Sequence, residues 1–358
     1  MLIKIVGPLL AAFIITLLST PWIKKLAVCF KAMDKPDRRK VHLNLMPRLG
    51  GLAICLSFWA IVILTQPLTS QIKGLLAGGA VICLVGMWDD IRGISAKTKL
   101  LGQILAAGVV IYAGVRVNFL TSPFDGTTID LGYWRYPLTI LWIVGMTNAV
   151  NLIDGLDGLA AGVSSIAAVT LGIVALLEGA AGYMQAAMLS FILAAATLGF
   201  LKHNFYPAKI FMGDTGSLFL GFNLAAIAIL GLTKGATVIS LFLPVVILGI
   251  PIADTAFAIA RRFLNGKPIF SPDREHLHHR LLDLGLTHRK TVLTIYAVSI
   301  LLGCSSIIIT QVTSAHGMLI MIGTTLTVFI AADKIGVLRT RSLQKSDHDK
   351  KAYNHIAK

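Results

Sequence analysis

Along the chain, apolar residues arrive in blocks of about 20, separated by short polar stretches. That is the length an α-helix needs to cross the hydrocarbon core of a bilayer. The pattern predicts eleven spans, at roughly 3–20, 49–66, 73–88, 100–116, 136–152, 158–177, 183–201, 215–232, 236–260, 291–311 and 315–332. No room remains for a separate soluble domain. The expected fold class is therefore all-α, a polytopic membrane helix bundle making one domain over 1–332 with a basic tail over 333–358. The connection at 117–135 alternates around a glycine turn and predicts a short hairpin.

Composition supports this reading. Apolar residues make up 56% of the chain and charged residues 14%, against about 25% in soluble domains. The four cysteines lie far apart and form neither a disulfide framework nor a metal-ligand pattern. The net charge of +15 would suggest nucleic acid in a soluble protein, but in a membrane protein Lys and Arg report orientation. With the N-terminus outside and the C-terminus cytoplasmic, 27 of the 32 basic residues fall on the cytoplasmic side. The five outside are Lys4, Lys73, Arg116, Arg135 and Lys234. The basic excess is then topogenic, with the lipid bilayer as partner and no nucleic acid. The first span is followed by eight basic residues and lacks a small-residue cleavage site, so it is expected to be an uncleaved span.

The acids carry the chemistry. Of 17, only Asp125, Asp130 and Glu178 fall outside and only Asp254 lies deep in a span. The others crowd the cytoplasmic side, many at span ends, where an unpartnered carboxylate is costly. Asp89 and Asp90 are adjacent, with Lys97 and Lys99 across a short loop. Acids and bases so placed suit a metal-bound diphosphate. In NAVNLIDGLDGLAAG, Asn148, Asn151, Asp154 and Asp157 recur every three residues, which on a helix end makes one stripe. A polar interhelical seam is the alternative. In HNFYPAKIFMGDTGSLFLG, Asp214 sits between glycines at the start of a span, a place that favours anions. A carboxylate there calls for an intervening cation; otherwise Asp214 is a plain helix cap. In FSPDREHLHHRLLDLGLTHRK, Arg274, His276, His278, His279 and Arg280 crowd seven positions, suiting phosphate better than zinc. Arg38, Arg39, Lys40, His42 and Arg48, around Pro36 and Pro47, read either as an ordered loop or as topogenic charge.

These pieces, in this order, resemble the polyprenyl-phosphate N-acetylhexosamine-1-phosphate transferases, from Asp34 to about Leu284. The resemblance implies a cytoplasmic-face active site in the plasma membrane, a UDP-linked amino sugar, an isoprenoid phosphate and magnesium, with manganese as a substitute. REHLHHRL stands where the phospho-N-acetylmuramoyl-pentapeptide branch typically has three consecutive histidines. With the eleventh span, it looks like the branch that moves N-acetylglucosamine-1-phosphate from UDP-N-acetylglucosamine to undecaprenyl phosphate and starts teichoic acids or related polymers. The muramoyl branch stays as the alternative, and a homodimer is compatible with either. By the same resemblance, Asp214 is the principal magnesium ligand, with Asn151 near metal and diphosphate. Asp89, Asp90, Lys99, Asp154 and His279 make the catalytic set. Asp157, Asn204 and Phe211 match positions around uracil, and Arg274, His276 and His278 match the region meeting sugar and phosphate. Asn44 replaces a lysine of the muramoyl branch, so that role is not carried over. Two rivals of other classes remain. A transporter predicts midplane acids and an internal repeat, but only Asp254 is deep and no repeat is visible. A membrane scaffold leaves the clustered acids unexplained.

Overall fold

The computed structural model describes residues 2–34, 45–121, 127–177, 181–232, 245–264 and 276–334. These form α1 (Leu2–Cys29), α2 (Gly51–Thr65), α3 (Ser70–Arg92), α4 (Ala96–Tyr112), α5 (Arg135–Leu152), α6 (Leu159–Leu177), α7 (Ala181–Asn204) and α8 (Gly213–Leu232). They continue with α9 (Gly249–Leu264), the short α10 (Leu277–Asp283), α11 (His288–Gln311) and α12 (Ser314–Lys334). The protein is a polytopic, all-helical membrane protein. Among the described residues, seven helices are long and apolar enough to cross a bilayer unaided, and α2 is a shorter apolar helix. The predicted span 236–260 overlaps α9; its part at 236–244, and the tail beyond Lys334, lie outside the described residues.

Helix starts follow local chemistry. Thr69, Ser95 and Thr287 cap α3, α4 and α11, each accepting from a backbone N–H three residues on. The expected hairpin is present: β3 (Phe119–Thr121) pairs antiparallel with β4 (Thr128–Asp130), Leu120 opposite Ile129. At the other end of the bundle, β1 (Met33–Asp34) pairs with β2 (Met46–Pro47).

Helix α8 is the axle of the bundle. It packs on α2, α3, α5, α6 and α7, and 94% of its apolar window is buried, against 11% for α12. A helix apolar on all sides belongs at the centre, whereas α12 shows most of its surface to lipid. The start of α8 is therefore surrounded by the ends of its neighbours, and that is where the polar motifs meet.

Candidate active site

The two adjacent acids of α3 part company. One oxygen of the Asp89 carboxylate accepts from Ile94 N–H (2.9 Å), and the other pairs with Lys99 of α4 (3.2 Å). Asp90, fully buried at its side chain, turns to α8 instead. It accepts from the backbone N–H groups of Asp214 and Thr215 (both 2.9 Å) and from the Thr215 hydroxyl (2.6 Å). The helix start that the sequence offered to a substrate anion is thus capped by a protein carboxylate from another helix. Gly213 makes this approach feasible. Its φ is +71°, and a Cβ there would sit 2.4 Å from an Asp90 oxygen.

Asp214 stands between two cations. Lys99 donates to one of its oxygens, and Arg48 lies 3.7 Å from the other. Arg48 also reaches Asp90 and Asp34, both at 3.2 Å. Among the described residues, Asp34, Asp89, Asp90 and Asp214 thus gather around Arg48 and Lys99 at the mouth of α8. Arg48 is placed by backbone pairing. Phe211 N–H donates to Pro47 (2.8 Å) and Gly50 N–H donates to Phe211 (3.0 Å), stitching the loop before α8 to the segment before α2.

The stripe expected from three-residue spacing dissolves, because α5 ends at Leu152 and a turn follows. Asn148 makes a reciprocal amide pair with Gln103 of α4, at 2.7 and 3.1 Å. This residue is an interhelical seam. Asn151 donates to Ser217 of α8 (2.8 Å), leaving its amide oxygen available. Asp157 accepts from Ala208 N–H (2.9 Å). Asn204 accepts from Gly158 N–H and donates to the Ile210 carbonyl, both at 3.0 Å. Asp157 and Asn204 therefore shape the loop 205–212 that carries Phe211. Burial, with repulsion from Asp214 and Asp90, pushes Asp154 up to about 8.

These groups enclose a cleft of about 370 Å³. Its wall includes Asp34, Arg48, Asn151, Asp154 and Asp214 together with Asp157, Asn204, Tyr206, Phe211, His279 and His288. Of the residues the sequence singled out, Asp89, Asp90 and Lys99 stand behind Asp214 and do not line this cleft. Among the histidines predicted from sequence, only His279 lines it. His276 pairs with Asp254 of α9 (2.9 Å), whose other oxygen accepts from Leu277 N–H (2.8 Å). The one deep acid is therefore an anchor for α10. His278 is buried against Gly155, where a Cβ would come within 2.4 Å of its ring. Burial, then its histidine neighbours, lowers it to about 3, so it is neutral. Arg274, Arg38, Arg39, Lys40 and His42 lie outside the described residues. Asp34, Tyr206 and His288 were missed, and Arg48 was left undecided. Their sequence signal is weak, because each is one polar residue in a polar loop. His288 follows the capping Thr287, and that placement was the available clue.

Among the described residues, no three His, Cys, Asp or Glu side chains converge as a ready-made metal cage. The side-chain oxygens along the cleft are the carboxylates of Asp34, Asp154, Asp157 and Asp214, the amides of Asn151 and Asn204 and the Tyr206 hydroxyl; of these, Asp34 is paired with Arg48, Asp157 with Ala208 N–H and Asn204 with Gly158 N–H.

Residues 72–232 match the model of Glycosyl transferase family 4, a stretch that holds the three acid motifs around Asp89, Asp154 and Asp214 but not the histidine segment. A probable undecaprenyl-phosphate N-acetylglucosaminyl 1-phosphate transferase of Bacillus subtilis (strain 168) is 45% identical over 87% of each chain. A decaprenyl-phosphate N-acetylglucosaminephosphotransferase of Mycolicibacterium smegmatis is 40% identical over 80% of this chain and 77% of its own. A phospho-N-acetylmuramoyl-pentapeptide-transferase of Shouchella clausii is 34% identical over 81% of this chain and 91% of its own. With relatives this similar along four-fifths or more of its length, the chain belongs to the polyprenyl-phosphate N-acetylhexosamine-1-phosphate transferases, enzymes of the glycosyl-1-phosphate transferase kind.

Proposed function

We propose that this protein transfers N-acetylglucosamine-1-phosphate from UDP-N-acetylglucosamine to undecaprenyl phosphate. The products are undecaprenyl-diphosphate-N-acetylglucosamine and UMP, in the first membrane step of a cell-wall polymer such as teichoic acid. The carrying observation is the cleft at the start of α8, whose wall combines Asp214, Asp154, Asn151 and Arg48 with Phe211 and Asp157. The identities favour this donor over the muramoyl pentapeptide, 45% against 34% at similar coverage of this chain. REHLHHRL, in place of three consecutive histidines, points the same way.

The donor set suits magnesium. Mg²⁺ takes one or two carboxylates, keeps waters and completes its shell with substrate phosphates, so a protein cage is not required. Asp214 and Asp154 would hold it, with the Asn151 oxygen nearby. Bound there, the ion would neutralise the donor diphosphate. The carboxylates of Asp154 and Asp214 in the same cleft support this reading, since a cation between them and a diphosphate removes their mutual repulsion.

In the proposed reaction, an oxygen of the lipid phosphate attacks the β-phosphorus of the donor. The bond from that phosphorus to the bridging oxygen breaks, and UMP carries the oxygen away. One phosphoanhydride replaces another, so the step is close to balance. A phosphate monoester has a second pKa near ~6, so the acceptor is already mostly dianionic and needs no protein base. The work left to the chain is positioning and charge compensation. Lys99 and Arg48 hold the Asp214 carboxylate between them, and Asp90 fixes the backbone that carries it. Phe211 offers a ring face for uracil, on a loop tied down by Asp157 and Asn204. The 27 basic residues at this end support a cytoplasmic site, where a soluble nucleotide sugar meets a lipid-borne acceptor.

The test is UMP release by purified protein given undecaprenyl phosphate. UDP-N-acetylglucosamine should support turnover, and UDP-N-acetylmuramoyl-pentapeptide should not. Turnover of the pentapeptide donor alone would move the protein to the other branch.

A further inference from the structure

Most of the cleft wall is assigned above to diphosphate and uracil. One part is not. Tyr206, on the loop before α8, and His288, the first residue of α11, stack face to face with ring centroids 4.4 Å apart and planes 28° apart. Both rings line the cleft, as does His279. The Nε2 atom of His288 is shielded from water and has no hydrogen-bond partner among the described residues. A buried polar atom left unpaired is costly, and the ring that carries this one lines a substrate cleft, which points to a partner that the substrate supplies.

Chemistry selects which part of the donor that is. The diphosphate belongs near Arg48 and Asp214, where the cations and carboxylates are concentrated. Uracil has Phe211 to stack on and Asp157 to pair with. What remains is the hexosamine, whose hydroxyls both donate and accept and so satisfy an imidazole nitrogen in either tautomer. We infer that the stacked pair Tyr206 and His288 is the wall against which the donor's amino sugar rests, with His288 as a specificity-determining contact to a sugar hydroxyl and Tyr206 as the residue that positions its ring. This rests on the donor proposed above. It also gives a reason for the two-part wall. Tyr206 belongs to the loop that Asp157 and Asn204 tie down, and His288 to the segment that carries His279. Sugar binding would therefore join the nucleotide loop to the histidine helix.

The experiment measures, on purified protein, the affinities of UDP-N-acetylglucosamine and of UMP by calorimetry, together with the KM and kcat of transfer. His288→Ala should weaken UDP-N-acetylglucosamine binding and raise its KM about two- to tenfold, the worth of one hydrogen bond. UMP affinity should stay within about twofold of wild type, because UMP lacks the sugar. His288→Gln, which keeps a polar atom near the Nε2 position, should recover most of the loss. Tyr206→Phe keeps the stack and should bind like wild type, while Tyr206→Leu should behave like His288→Ala. A purely structural role would lower kcat or stability without separating the two ligands. Equal weakening of UMP and UDP-N-acetylglucosamine would make the pair a nucleotide contact and overturn the inference. So would unchanged binding of both. If His288→Ala fails to fold, His288→Gln and Tyr206→Leu decide the question. Wild-type protein that binds UMP but gains nothing from the sugar would instead refute the donor assignment.

Discussion

Asp90 is the residue whose role the structure changes most, and Asp90→Asn tests that change. Its carboxylate accepts two backbone N–H groups and a hydroxyl at the start of α8 and meets Arg48 at 3.2 Å. Asparagine keeps one acceptor oxygen and places an NH₂ group where the other stood. Whichever way it turns, one buried N–H of α8 faces a donor. That orphan costs about 1–3 kcal/mol, and the lost charge-assisted contact with Arg48 adds about 1.5–3 kcal/mol. The sum, roughly 2.5–6 kcal/mol, brackets the usual cost of about 3–5 kcal/mol for breaking a buried ion pair from one side. In a detergent thermal melt this should appear as a fall on the order of 10 °C. Asp214→Asn is the contrast. Asparagine can still accept from Lys99, and the start of α8 keeps its Asp90 cap, so the melt should move far less than for Asp90→Asn while turnover collapses. The two variants should thus separate stability from activity. If Asp90→Asn melted like wild type and had lost only turnover, Asp90 would act on the reacting groups, and the capping account would be refuted.

Three further predictions follow from the same geometry. Phe211→Ala should weaken UDP-sugar and UMP binding by about 1–3 kcal/mol, by analogy with base–aromatic stacking, and leave the KM of the lipid acceptor unchanged; unaltered nucleotide affinity would make Phe211 a packing residue. Asp154, raised to about 8, keeps a proton in the fold that the unfolded chain releases near ~4. Its contribution in chelator should therefore erode stability as pH rises from about 4 to about 8, and Asp154→Asn should flatten that slope in melts; an identical slope would contradict the electrostatic account. A reporter fused after Lys358 should be cytoplasmic and one inserted at Gly126 should be outside, and the reverse at either place would turn the cleft to the wrong compartment.

The spans were legible because a bilayer imposes length and apolarity on each helix separately. The short hairpin at 119–130 was legible for a similar local reason. What escaped the sequence depends on pairing between distant segments. Nothing near Asn148 announces Gln103 as its partner, and nothing near Asp254 announces His276. Asp89 and Asp90 read as one motif, yet neighbouring side chains on a helix diverge by about 100°, so one met Lys99 and the other the start of α8. The stripe at 148–157 assumed a helix that stops at Leu152. Asp214, Asp154, Asn151 and Phe211 were singled out because short acid and glycine motifs surround them, and the fold brings them to one cleft. Arg48, Tyr206 and His288 look like ordinary interfacial residues until the fold brings their loops to one cleft.

The central claim is that a phosphosugar moves, and the fate of the β-phosphorus tests it most directly. UDP-N-acetylglucosamine labelled at its β-phosphate would be given to the purified protein with undecaprenyl phosphate and magnesium. The account predicts that the label enters the lipid phase with the sugar, one UMP appearing in water for each lipid product, and that chelation stops both. If the label stayed with the nucleotide as UDP while the sugar alone reached the lipid, the claim would be contradicted.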